Sequence, residues 1–355
     1  MNYNIEELSN EAIALLSDLI NIPSYSKEEN AAADFLEKHI EIKGYTAIRK
    51  DNNVWIMSPG FDLSRPTLLL NSHIDTVRPV NNWTYNPHQA TIVDNKLFGL
   101  GSNDAGASLV CLLQAFYYLS MQKQHYNLIF AASAEEEISG KNGVESLLKE
   151  LPKIDFAIVG EPTQMHLAVA EKGLMVLDCV SQGIAGHAAR NEGENAIYKA
   201  MDDIAWFQNF RFEKESELLG PVKMSVTQIN AGTQHNVVPD QCKFVVDIRS
   251  NEMYSNEQIL EIIKKHVKCS VQARSTRLSS SATPLSHPLV SKAKTMGRKL
   301  YGSPTLSDQA LMKCQSVKIG PRDSARSHTA NEYIELAEIS HGIEMYIELL
   351  NGLKI

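Results

Sequence analysis

The residues able to do chemistry fall in five short clusters, all carrying nitrogen or oxygen donors. His73 and Asp75 stand two apart in NSHIDT, Asp104 sits in GLGSNDAGAS, and Glu135, Glu136 and Glu137 run together in SAEEEISG; Glu161 lies in GEPT and His328 in GPRDSARSHTANEYI. Residues two apart on an extended segment share a face, so the Asp75 carboxylate can hold the His73 imidazole in the tautomer that ligates a metal. Three adjacent glutamates without a basic neighbour repel one another unless a cation binds them. Taken singly, these motifs also read as a structural histidine, a solvated acidic loop, a turn and a capping histidine. Together, two imidazoles and several carboxylates with no cysteine suit Zn²⁺, Co²⁺ or Mn²⁺. Two ions sharing one carboxylate, which Asp104 could supply, would activate a water for hydrolysis. Gly99-x-Gly101 is similar to the start of a phosphate-binding fingerprint, but Asp104 stands where its third glycine belongs and would repel a pyrophosphate.

Three apolar runs, 67–71, 127–132 and 155–159, are each followed at once by one of these clusters. They are strand-length and unbroken rather than alternating, as expected of central strands covered on both faces. In open α/β sheets ligands bind beyond the carboxyl ends of the strands, so three strand ends point to one crevice. Helices are predicted at 105–121 and 144–149, and two more before the first run, one capped by Ser9 and ending at Ile20, the other over 28–43. The expected fold is α/β, with a mixed, largely parallel central sheet flanked by helices. From about Thr163 the texture changes: 173–182, 222–231 and 241–250 alternate apolar and polar residues, with helical stretches at 194–210 and 256–267. A further strand at 268–277 would close a βαββαβ-like unit, and a Ser/Thr-rich linker follows at 275–283. The expected organisation is a catalytic domain of residues 1–163 and 284–355, ending in a helix near 331–351, with a smaller domain of residues 164–283 inserted into it.

Composition narrows the partners. The chain has 355 residues, 43% hydrophobic and 21% charged, and a net charge of −8. Its length exceeds the roughly 250–300 residues at which one core stops growing, favouring two domains. The acidic balance and the lack of any dense Lys/Arg run argue against nucleic acid as a partner. No apolar run approaches the roughly 18 residues needed to span a bilayer, and the N-terminus has no secretory pattern, so no membrane association and a cytoplasmic location are expected. Five scattered cysteines with no CxxC pair argue against a disulfide framework or a thiolate cage.

In chain order, these motifs resemble the two-metal amidohydrolase and metallopeptidase family of acetylornithine deacetylase, succinyl-diaminopimelate desuccinylase, aminoacylase and glutamate carboxypeptidase. The likeness continues through Gly-His187, Asn195-Ala, Asn236-Val-Val-Pro, Asp-Ile-Arg249 and His328-Thr-x-Asn-Glu. The resemblance implies that His73, Asp104 and Glu161 ligate one divalent ion, and Asp104, Glu137 and His328 a second, with Asp104 bridging. Aligning Gly140 and Gly143 makes Glu136 the general base and Glu137 a ligand, and Asp75 then supports His73. The inserted domain is implied to be a ferredoxin-like lid and dimerisation module forming a homodimer. Its His187 would stabilise the oxyanion in its own or the partner's site, and Arg249 and Asn236 would contact the substrate carboxylate. The implied reaction is hydrolysis of the amide of a small N-acyl amino acid, foremost N-acetylornithine or N-succinylornithine in arginine biosynthesis; a desuccinylase of diaminopimelate and a dipeptidase or carboxypeptidase are the alternatives. The chain departs from the family at Asp104-Ala105-Gly106 and at Gly320-Pro321-Arg322-Asp323. Arg322, near His328, is a candidate to receive a second carboxylate such as a succinyl group's.

Overall fold

Unbroken apolar runs make the centre of the fold. The structure, a computed structural model, describes residues 4–355. The strands Asn127–Ser133, Thr67–His73, Phe156–Val159 and Gln315–Lys318 lie side by side in that order and run parallel. Asn53–Met57 and then Ile48–Lys50 extend one side antiparallel, and Leu167–Glu171 pairs antiparallel on the other. The sheet is therefore mixed and largely parallel. Successive residues of a strand face opposite sides, and both sides are covered. Leu68 and Leu70 join Phe130, Ile158 and the helix Ala107–Ser120 in one cluster, whereas Leu69 joins Ile129, Ala157 and Val144 in another. Each buried Leu or Ile contributes about 1.5–3 kcal/mol, which is why Leu68–Leu70 and Leu128–Ala132 are apolar throughout.

By chain contacts the molecule divides into two compact units. The first comprises the chain up to Val169, Thr283–Tyr301 and Ser307–Ile355; the second comprises Ala170–Ala282 and Gly302–Leu306. In the second, the strands Lys223–Ala231, Gln241–Ser250, Gly173–Gln182 and Ser270–Ala273 form, in that order, an antiparallel sheet. The helices Ala196–Asn209 and Asn256–His266 pack on it through Ala200, Phe207, Ile259 and Ile263. This is the βαββαβ arrangement of a ferredoxin-like unit. Asn195 caps the first of these helices, and Ser255 forms a capping box with Gln258 at the second.

Several elements differ from expectation. The first helix spans Ile5–Ile20 and is capped by Asn4, whose side chain accepts from the Glu7 N–H; Ser9 is buried inside it. The last helix starts only at Leu336, because Tyr333–Glu335 forms a strand paired with Lys96–Phe98. The closing strand of the second unit is only Ser270–Ala273. No described helix is long and apolar enough to cross a membrane.

Candidate metal centre

His73 ends its strand, in register with Ser133, which ends the neighbouring one. The chain beyond Ser133 carries the glutamates, and Glu161 follows two residues after the end of Phe156–Val159. Nδ1 of His73 donates to the Asp75 carbonyl (2.8 Å), since a carbonyl can only accept. Its Nε2 is thereby left facing Asp104 (3.3 Å), Glu161 (3.8 Å) and Glu136 (4.0 Å). The other imidazole approaches from far along the chain: His328 Nε2 lies 3.1 Å from Glu137 and 3.6 Å from Asp104. Asp104 turns Oδ1 to His73 and Oδ2 to His328.

Two ligands of one tetrahedral ion held at about 2.0–2.1 Å lie roughly 3.3 Å apart, so these separations suit shared cations. Donor atoms of His73, Glu136 and Glu161 lie within 4.8 Å of one another, as do those of His73, Asp104 and Glu137. The electrostatics agree. Burial, followed by the charge of Asp104, raises Glu161 to about 8. Burial, with Glu161 and Asp308 nearby, carries Glu136 well above the usual carboxylate range. Burial alone would lower His73, but its bonds to Asp104 and Asp75 outweigh this and leave it well above its ordinary value. The bond to Glu137 raises His328 to about 9. So many acids crowd together that protons must fill the place of cations, and bound divalent ions would invert that balance.

The backbone of the glutamate run is held by other carboxylates. Asp75 accepts from the Glu136 N–H (3.0 Å), the Glu137 N–H (3.2 Å) and the Ser26 hydroxyl (2.7 Å). Glu29, fully buried, accepts from the Glu135 N–H (3.1 Å), the Lys27 N–H and the Asn52 amide. Glu135 sits in the left-handed region at φ 54°, and its carboxylate accepts from Asn142. Its Oε2 would lie 1.9 Å from a Cβ on Gly140, so the glycine there leaves space for this side chain. Glu332, likewise buried, accepts from the N–H groups of Gly101, Asn103 and Asp104. Burial and the neighbouring Asp104 raise it to about 8. Sequence reasoning missed Glu29 and passed over Glu332 inside its closing motif.

Three of the other expected site residues, His187, Asn236 and Arg249, belong to the second unit, and Arg322 to the first. His187 and Asn236 come together in the second unit, where Gly186–His187 pairs with Val237–Val238 and the Ala188 N–H donates to the Asn236 carbonyl (3.0 Å). His187 is exposed. Arg249 forms a two-point pair with Asp247 on its own strand (2.9 and 3.1 Å). Arg322 pairs with Glu338 and Glu335, and Arg326 stacks on the Tyr333 ring at 3.8 Å. A substrate carboxylate at Arg322 would have to displace a glutamate.

The fold and its clustered nitrogen and oxygen donors fit a metal-dependent hydrolase. More particularly, the chain belongs to Peptidase family M20/M25/M40, which its residues 69–352 match. A succinyl-diaminopimelate desuccinylase of Ehrlichia canis is 25% identical over 372 residues, covering 96% of this chain and 97% of that protein. Among solved structures, aminopeptidase PepT from Bacillus cereus aligns over 98% of both chains with a TM-score of 0.76 at 19% identity. A dinuclear metal-binding M20 peptidase of Bacillus subtilis covers 97% of this chain and 98% of its own, with a TM-score of 0.72 at 16% identity. The two structural likenesses show the fold.

Proposed function

We propose that this chain hydrolyses the amide bond of a small N-acyl amino acid with two divalent cations, zinc or cobalt, and that N-acetylornithine or N-succinylornithine, deacylated to ornithine, is its leading substrate. The observation that carries the two-cation reading is Asp104, whose two oxygens face different imidazoles. His73, Asp104 and Glu161 would hold one ion, and Asp104, Glu137 and His328 the other. When bound, such ions lower the pKa of water and polarise a carbonyl. Glu136 accepts the proton of the attacking water and returns it to the departing amine; a carboxyl already raised by burial suits both steps. Asp75 fixes the peptide groups of Glu136 and Glu137, keeping the base and its neighbouring ligand in register. His187 donates to the oxyanion, Asn236 and Arg249 receive the substrate carboxylate as it displaces Asp247 from Arg249, and Arg322 receives a second one on a succinyl substrate in place of a glutamate. The second unit serves as lid and homodimer interface, and the protein acts in the cytoplasm.

A second reading has its own support. The named desuccinylase relative spans nearly the whole chain, which favours N-succinyl-diaminopimelate as substrate about as well. A panel of N-acetylornithine, N-succinylornithine, N-succinyl-diaminopimelate and dipeptides, assayed with added Zn²⁺ or Co²⁺, decides between them. Fastest turnover of an acylornithine supports the first reading, and fastest turnover of the diaminopimelate derivative replaces it with the second. Hydrolysis of dipeptides alone would refute both.

A further inference from the structure

Asp104 has to present one oxygen to each of two imidazoles, and its own loop closes only through the Ser102 N–H to the Gly99 carbonyl (3.1 Å) and the Gly106 N–H to the Gly101 carbonyl (2.9 Å). Its backbone (φ −116°, ψ 98°) is not helical, although it lies just before the helix Ala107–Ser120, and that helix has no side-chain cap. The peptide groups before it would be unpaired donors inside the protein, a cost of about 1–3 kcal/mol each. Ser102 donates to the Gly99 carbonyl, and one residue answers the other three, Gly101, Asn103 and Asp104. Glu332 is 2% exposed; its Oε1 accepts from the N–H groups of Asn103 (2.8 Å) and Asp104 (2.9 Å), and its Oε2 from that of Gly101 (3.1 Å). Its own carbonyl accepts from the Gly99 N–H (3.1 Å). The same segment is tied down next door, where the Asn331 side chain accepts from the Thr84 N–H at 2.7 Å.

Glu332 lies four residues after His328, while Asp104 lies 228 residues before Glu332. We infer that Glu332 is a positioning residue for the metal centre: its carboxylate locks the Asp104 loop and joins it to the segment bearing His328, so that two donors distant in sequence are set before any cation arrives. This rests on the two-cation reading of the site. A carboxylate is required because three donors converge on it. A glutamine keeps the volume but has a single acceptor oxygen, and its NH₂ would confront at least one peptide N–H.

The test uses the full chain, stripped of metal and titrated with Co²⁺ while visible absorption is followed. Glu332→Gln should bind Co²⁺ about 10–100-fold more weakly than wild type, the range seen when groups supporting a ligand are lost. At saturating Co²⁺ its KM should be unchanged, and Glu332→Asp, which keeps the charge, should restore part of the affinity. A merely structural role would lower the melting temperature and leave the Co²⁺ affinity of the folded protein alone; Glu332→Gln affinity within twofold of wild type therefore overturns the inference. Should Glu332→Gln not fold, hydrogen exchange on metal-free wild type decides. Protected Gly101, Asn103 and Asp104 amides support positioning before metal binding, and exchange at free-loop rates overturns it. Wild type that binds no Co²⁺ would overturn the functional reading and this inference together, whereas normal wild-type binding with unaltered Glu332→Gln overturns this inference alone.

Discussion

Adding Zn²⁺ to the metal-free protein at pH 7 should release about two to four protons per pair of ions. His328, raised to about 9 by its bond to Glu137, and Glu161, raised to about 8 chiefly by burial, are about 99% and 90% protonated at that pH. Neither can ligate until its proton leaves, so these two groups supply about 1.9 protons. His73, pushed down by burial but carried well above its ordinary value by Asp104 and Asp75, adds up to about one more, and so does Glu136, which burial holds well above the usual carboxylate range and which must be ionised to act as the base. Protons and cations compete for the same atoms. Affinity is therefore weaker at low pH and strengthens as pH rises, with a slope in log units equal to the number of protons released. By pH 9 Glu161 is about 10% and His328 about half protonated, so their joint release falls to about 0.6 proton and the slope flattens. Titration calorimetry in buffers of different ionisation enthalpy counts these protons directly. Release of fewer than about one proton at pH 7, or an affinity that does not change between pH 6 and 8, would refute the assignment of both imidazoles and Glu161 as ligands.

Replacing Glu136 by Gln should lower kcat about 10²–10⁴-fold with both metals retained; metal analysis alongside the rate checks it, and near-normal turnover would remove Glu136 from proton transfer. Asp75→Asn leaves at least one of the donors from Ser26, Glu136 and Glu137 facing an amide NH₂. The metal-free protein should lose about 1–3 kcal/mol in denaturant unfolding, and Co²⁺ should bind about 10–100-fold more weakly. A Cβ at Gly143 would lie 2.0 Å from the Ala134 carbonyl oxygen, so Gly143→Ala must displace backbone where the glutamate loop leaves its strand. A loss of about 1–3 kcal/mol is expected, and an unchanged unfolding midpoint would show that the loop yields freely.

What was legible in the sequence follows from how each feature is encoded. Central parallel strands must be apolar on both faces, so 67–71, 127–132 and 155–159 stand out as blocks, and of the polar residues that follow them, Glu136 and Glu161 lie within 4.0 Å of the His73 imidazole. Two-sided patterning also separated the second unit, whose strands Gly173–Gln182 and Gln241–Ser250 alternate cleanly. Interactions made by side chains with distant backbone leave no period or spacing to read. Glu29 begins a helical stretch and looks like a surface acid, yet it is fully buried against the Glu135 peptide. Glu332 carries a comparable load 228 residues from Asp104. Boundaries failed for a related reason: Tyr333–Glu335 is a strand because Lys96–Phe98 offers it a partner, a tertiary cause that overrides local preference. Arg249 matched a motif, but its side chain lies against Asp247 two residues away on the same strand face, a pairing that the motif did not declare.

Anomalous diffraction from zinc-loaded crystals tests the central claim most directly. Two peaks about 3.5–4 Å apart are expected, one on each oxygen of Asp104, with His73 beside one and His328 beside the other. A single peak, or two that do not share Asp104, would contradict it.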